Sequence, residues 1–535
     1  MTEEQQQPTE KKKGCIYWSI LKWAGLVLLS LLLLIALIFQ APWKVTLLLA
    51  IFLLACTILP KPYKKHFWGG TGIVVIILII WVFLPTETEG WKPFTFDEEI
   101  DAYKAQFAIP DEENAALIYN KIFDNYDSNV IEPNLVDEKT YDLIGEKFWS
   151  SKDYPAAAEL LKEQENTIRT LIEASKIDKC SFPLTTNIFE FGHPLEDLIK
   201  IRHLTRVLIW SANNDVAEKR IEAALEKYNC VTKIGKHMCQ QPTTLDCLVG
   251  MAIENLAIRQ LKKFVVLFDS AETHLCSVDE MIGSIKHDWS HDLPKFLNNE
   301  KIMTKTFLSL FYEINKEGKI RLSRYSMAKL KPQSPEEFQA KPFLQRKAIK
   351  TSTILVWLFM PSTPQKAAKI IDEAFEKNYA MADPEFDWEK EHKTPLSFVF
   401  DKWGFVRIKF NYHFLADSMA DMISVTHYKT HDCYLKMLAT KRGCLLLVAL
   451  RRFKDAEGTW PQNLEQIKGY TNAENFIDPI NDGSFVYKLT DDNFTLYSRG
   501  KNNIDESGED ETKWDPNTTE TKVLKDDWLI WPLPK

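Results

Sequence analysis

Two histidine pairs have a spacing that could do chemistry. His287 and His291 lie in KHDWSHDLP, and His427 and His431 lie in HYKTHDC, beside Asp432 and Cys433. Histidines four residues apart share a helix face and can chelate zinc. A catalytic zinc also needs a third ligand, an open position and a base. Neither pair has the glutamate beside its first histidine that a zinc-protease helix carries. His413, Asp417 and Asp421 recur every four residues upstream and offer His427 and His431 a third ligand. The competing reading is a polar helix face with partly buried histidines. The chain contains no Gly-x-Ser-x-Gly, no P-loop and no Rossmann glycine fingerprint. Its 74 acidic residues leave a glycosidase-type carboxylate pair open without singling one out. No catalytic residue is picked, and the reading leans away from an enzyme.

Nine cysteines add little. Cys433 and Cys444 share an expected helix, where eleven residues of rise separate them by ~16 Å, too far for a bridge. Cys239 and Cys247 flank Gln240-Gln241-Pro242-Thr243, a helix–helix turn that could bring them together. The chain has no CxxC pair, so a zinc ribbon or thioredoxin-like site is unsupported.

Placement is decided by the first ninety residues. Three apolar runs, Ile16 to Phe39, Val45 to Leu59 and Phe67 to Leu84, have Trp18, Trp23, Trp43, Trp68 and Trp81 towards their ends. They read as three transmembrane helices. Lys11–Lys13 precede the first, and Lys61, Lys64 and Lys65 separate the second from the third. The positive-inside rule then puts the N-terminus in the cytoplasm and residues 85–535 outside it, as in a bacterial inner membrane. The net charge of −8 argues against a nucleic-acid partner.

With only 19 glycines and 25 prolines in 535 residues, the chain favours long helices. Pro110-Asp111-Glu112-Glu113-Asn114 opens one. Leu198, Ile201, Leu204, Thr205, Leu208 and Ile209 form a stripe that ends at Asn213-Asn214-Asp215. Ile221, Ala224, Leu225, Tyr228, Val231, Ile234 and Met238 form the next, and Leu245, Leu248, Val249, Ala252, Ile253, Leu256 and Leu261 a third. Gly235 and Gly250 allow close approach. A further helix covers Lys366 to Lys377, and a long helical run extends from about Val406 to Lys454.

The last ninety residues change character. A helix ending in RRFKDAEGTWP leads to NLEQI, to Asp478-Pro479, and to two strand-like runs, FVYKL and FTLYS, joined by a polar turn. SRGKNNID and an acidic loop from Asp505 to Asp515 follow.

In that order these residues resemble the C-terminal part of the type II secretion major pseudopilin, over roughly residues 440–531. The family runs a long helix into a Gly-aromatic-Pro turn, an Asp-Pro, a small antiparallel sheet and a calcium loop. The resemblance implies a calcium site at Ser498, Asp505, Asp510 and Asp527, with oxygen donors of the kind calcium prefers. Three spans instead of one N-terminal helix depart from the family, so filament assembly is not implied. Asn502-Asn503 replaces the loop's glycine-rich spacing, and asparagine tolerates the left-handed region. The whole pattern also resembles membrane proteins of planctomycete-type bacteria.

The expectation is a mainly α protein. Residues 1–15 form a cytoplasmic tail, 16–84 three transmembrane helices, 85–440 a helical bundle or short solenoid, and 441–535 a small α+β pseudopilin-like module with a β-hairpin. The expected role is an integral membrane scaffold or interaction protein that holds a protein partner and is stabilised by calcium. The alternatives are a membrane-tethered metal-dependent hydrolase and an accessory component of a secretion or pilus-like system.

Overall fold

This computed structural model of the protein describes residues 90–126, 138–184, 195–269, 271–309, 311–322, 363–388, 412–491, 493–515 and 520–533. The cytoplasmic tail and the three expected spans lie outside them. Among the described residues, no helix is long and apolar enough to cross a membrane. The fold is mainly helical with small antiparallel sheets.

In chain order the elements are β1 (Trp91–Pro93), α1 (Asp97–Ala105), α2 (Ala116–Asp124), α3 (Glu138–Glu146), α4 (Pro155–Glu163), α5 (Glu165–Ser175), α6 (Leu195–Ala217), α7 (Ile221–Cys239), α8 (Thr244–Leu267), α9 (Glu272–Ser284) and α10 (Trp289–Ser309). There follow β2 (Tyr312–Asn315), β3 (Ile320–Leu322), α11 (Pro364–Glu376), α12 (Tyr412–Glu457), β4 (Val486–Thr490), β5 (Asn493–Ser498), β6 (Asp510–Asp515), β7 (Glu520–Asp526) and β8 (Trp528–Trp531).

The described residues divide into two compact units. The first holds the antiparallel sheet β1-β2-β3 and the helix α11. Thr363 caps α11 by accepting from Lys366 N, and Pro364 takes the first turn, where a missing N–H costs nothing. Ile371 and Phe375 are buried on its inner face.

The second unit takes Glu98–Glu300, Tyr379–Trp388 and Thr426–Lys535. The expected boundary at residue 440 falls inside the unbroken helix α12. The core of this unit is the stack α6–α8, whose α7 stripe is buried at every expected position. Burying one such Leu, Ile or Phe contributes about 1.5–3 kcal/mol. The α7–α8 turn is closed by Thr243, which accepts from Asp246 N at 3.0 Å. The two glycines then let the helices touch: a Cβ on Gly250 would lie 2.5 Å from Gly235 O.

Three expectations change. The helix expected from Pro110 starts at Ala116, after a 3-10 turn at Asp111–Glu113. Asn114 Oδ1 accepts from Ala116 N and Ser181 N there, which holds the intervening backbone out of a helix. Asn213-Asn214-Asp215 does not end α6, which continues to Ala217. These side chains are buried and satisfied away from their own backbone. Asn213 Nδ2 donates to Ile144 O at 2.9 Å, Tyr228 Oη donates to Asn213 Oδ1 at 2.7 Å, and Asn214 Nδ2 donates to Trp149 O at 3.1 Å. Having tertiary partners, they do not compete with the helix. Finally, α8 is buried on most sides, while Leu245 of its expected stripe is exposed.

At the C-terminus, β4 and β5 form the expected hairpin, and β8 pairs with β5 to give the order β4-β5-β8. Ile530 of β8 sits against α12 where Gly443 leaves room, since a Cβ there would meet Ile530 Cγ2 at 2.6 Å. Trp528 Nε1 donates to Thr440 Oγ1 at 2.9 Å.

Candidate functional site

The loop after β5 is built from carboxylates that accept backbone N–H groups. Gly500 (φ +61°) turns the chain so tightly that a Cβ would lie 2.1 Å from Asp526 O. Asn503 takes φ +54°, the left-handed turn asparagine was expected to allow. Asp526 Oδ2 accepts from Lys501 N and Asn502 N. Asp527 Oδ2 accepts from Glu506 N at 2.9 Å and Gly508 N at 2.7 Å.

Of the four expected calcium ligands, Ser498 is buried and its hydroxyl accepts from Gly500 N at 3.0 Å. Asp505 Oδ1 accepts from Tyr497 Oη at 2.6 Å, from Ser507 N and from Lys488 Nζ. The Tyr497 hydroxyl above all holds its pKa down at about 2. Asp510 is exposed and opens β6, opposite Asp526 of β7. Asp527 is buried, with Oδ1 making no hydrogen bond, and Asp526 Oδ1 is likewise buried without one.

The two members of each histidine pair have different surroundings. His427 and His431 sit one turn apart on α12 and share Trp289, with ring centroids 6.5 and 5.0 Å away, but their other partners differ. His427 is buried, and its Nε2 lies 2.7 Å from Glu300 Oε2. The His431 ring stacks on Trp388 with centroids 4.2 Å apart, and burial, helped by Lys501, pushes its pKa down to about 4. A neutral ring pressed between indoles is a packing element. His413, Asp417 and Asp421 belong to the part of α12 whose side chains lie outside the description. In the other pair, the His287 side chain is buried and that of His291 exposed.

Among the described residues, one group of three His, Cys, Asp or Glu side chains brings its donor atoms within 4.8 Å of one another: Cys239, Glu254 and His287. Cys239 ends α7, Glu254 lies on α8, and His287 sits in the connection before α10. His287 Nε2 is 2.7 Å from Glu254 Oε2. Burial opposes a charge on His287, yet the Glu254 carboxylate raises its pKa. Hydrogen bonding with Cys247 and burial raise that of Cys239. All three side chains line one cavity of about 540 Å³. Cys239 and Cys247 are both free thiols, as are the other described cysteines.

Reading the sequence named His287 only with His291, and Cys239 only with Cys247. Glu254 went unnoticed. The signal was there in one respect: a lone glutamate sits four residues after Gly250, on the helix that crosses Gly235. Comparison with known protein families, curated proteins and solved structures yields no match.

Proposed function

We propose that this chain is a membrane-anchored scaffold whose residues 85–535 lie outside the cytoplasm and hold a protein partner. The anchor rests on the three apolar runs and their lysine flanks. The observation that carries the scaffold reading is a cleft of about 980 Å³ beside α3, α6, α8 and the end of β8. Ile209, Trp210, Leu256, Leu267, Trp531 and Leu533 supply its apolar floor. Lys147, Arg206, Arg259 and Lys263 outnumber Asp142 and Glu146 around it. An apolar floor with a basic rim suits an amphipathic helix whose flanks are acidic. Leu267, 68% exposed, already presents an apolar side chain to such a partner.

Calcium fits this reading as a stabiliser of the C-terminal loop. The buried, unpartnered Oδ1 atoms of Asp526 and Asp527 are oxygen donors that a hard cation would satisfy. A melting temperature indifferent to a calcium chelator removes that part of the proposal.

The scaffold is tested with a photoreactive amino acid placed at Leu267 in the full chain, and at Leu117 on α2 as control. Irradiation in cells is expected to give a defined protein adduct from position 267 and none from 117. Equal labelling from both positions, or none from 267, rejects the cleft as the holding surface.

A further inference from the structure

We propose that Cys239, Glu254 and His287 hold one divalent transition metal ion of the zinc class, with a coordination position open to the adjoining cavity. The donor set comes first. A thiolate, an imidazole and a carboxylate together are borderline-soft, which selects zinc-class ions over calcium or magnesium. This site is therefore chemically distinct from the all-oxygen C-terminal loop.

Geometry comes second. Tetrahedral bonds of ~2.0–2.3 Å set neighbouring donors roughly 3.3–3.8 Å apart. The three donor atoms lie within 4.8 Å of one another, so rotamer adjustments of about an ångström close the site. The His287–Glu254 hydrogen bond of 2.7 Å would open as the ion replaces the shared proton.

The fold also makes room for the donors. A Cβ on Gly235 would lie 2.4 Å from Glu254 Cγ, and a Cβ on Gly250 would lie 2.6 Å from Cys239 Sγ. The helix crossing thus leaves empty the volumes that two of the donors occupy. The third donor is fixed by its backbone: Tyr434 Oη donates to His287 O, and Lys441 Nζ donates to Ile285 O two residues earlier. A preset donor position is what a metal site needs from its surroundings.

The His287 side chain is 2% exposed, so an ion that takes the place of the proton shared with Glu254 is held away from bulk water. Finally, three protein donors leave a fourth place in a tetrahedron, and all three border the same cavity, which His291, Asp292 and Lys295 also line. That is the pattern of a metal accessible to a small ligand, not of a closed structural site.

The test uses the full purified chain, stripped with a chelator and titrated with cobalt(II). One equivalent should bind, with visible bands of tetrahedral cobalt and a near-ultraviolet thiolate-to-cobalt band. The thiolate band should vanish in Cys239→Ser and persist in Cys247→Ser. Glu254→Gln should weaken cobalt binding by about 100-fold or more, since changes at supporting residues alone cost 10–100-fold. A melting temperature raised by one equivalent of cobalt in the wild-type chain supports the site even if a variant fails to fold. No stoichiometric binding, no shift, or a thiolate band unchanged in folded Cys239→Ser overturns it, leaving a buried His–Glu hydrogen bond with a packed thiol.

Discussion

The α7–α8 crossing and the loop after β5 both depend on a glycine pressed against backbone, but they are held by different forces. At the crossing, Gly235 and Gly250 press on each other's helix, and along the same helix α7 buries Ile221, Leu225, Tyr228, Val231, Ile234 and Met238. In the loop, Asp526 and Asp527 gather the amides of Lys501, Asn502, Glu506 and Gly508. The crossing is integral to the core, so its loss must propagate. The loop is a surface structure tied by charged acceptors, so it can open locally. The difference also shows that a run of carboxylates is not by itself a ligand set, because such groups equally serve as caps for a turning backbone.

The largest effect that tests this contrast comes from one methyl group placed in each region. In Gly250→Ala the new Cβ meets Gly235 O at 2.5 Å and Cys239 N at 3.0 Å, and neither backbone atom can move freely. We expect a loss of about 3 kcal/mol or more in unfolding free energy, the upper range for overpacking. Gly500→Ala meets Asp526 O at 2.1 Å and must also hold φ +61°. Its strain is expected to be relieved by release of the loop. Amide hydrogen exchange should then rise across residues 501–508, while the helical melt moves little. If Gly500→Ala lowers the helical melt as far as Gly250→Ala does, the loop is part of the core and the contrast fails.

The crossing was legible in the sequence because period and size are local properties. The α7 stripe and the two small residues are visible to anyone counting threes and fours. The long helix α12, the turn before α8 and the C-terminal hairpin were legible for the same reason. What stayed hidden depended on partners far along the chain. Asn213 and Asn214 read as breakers because nothing local shows that Ile144 O and Trp149 O will receive their amides. Glu254 stayed unnoticed because its meeting with His287, thirty-three residues on, is tertiary. The histidine spacing was real, but equal spacing on a helix face does not say whether a ring meets a metal or packs on a neighbour, as His431 does on Trp388.

A smaller effect probes the seam between the two regions. Lys262 of α8 donates to Ile530 O of β8 at 3.2 Å, and burial brings its pKa down to about 8 from the ordinary 10.5. Below pH 8 both the folded and the unfolded chain carry this charge, and the folded state bears the cost of burying it. Between pH 8 and 10.5 the folded chain releases the proton first, so stability rises with pH across that window. A displacement of this size corresponds to about 3 kcal/mol. Buried thiols and phenols titrate there as well, so the quantity to measure is the stability difference between wild type and Lys262→Met. It should change in favour of the wild type from pH 7.5 to 10.5. A difference flat with pH means that the ammonium is solvated, and that the contact between α8 and β8 is looser than its geometry indicates.

The smallest effect has the opposite sign and checks the cause assigned to the first. Gly283 lies in the last turn of α9, and a Cβ there would find nothing within 4 Å. With no opposed backbone, alanine removes only the extra freedom that glycine has in the unfolded chain, so Gly283→Ala should raise stability by about 0.5–1 kcal/mol. The same added methyl group should therefore destabilise at Gly250 and stabilise at Gly283. Both substitutions are made in helices of one unit, so intrinsic helix propensity acts in the same direction in each. What differs is the approach of Gly235 O, Cys239 Sγ and Cys239 N at Gly250. Were Gly283→Ala also to destabilise by kilocalories, the loss at Gly250 could not be assigned to the helix crossing, and the packing that frames Cys239 and Glu254 would need another explanation.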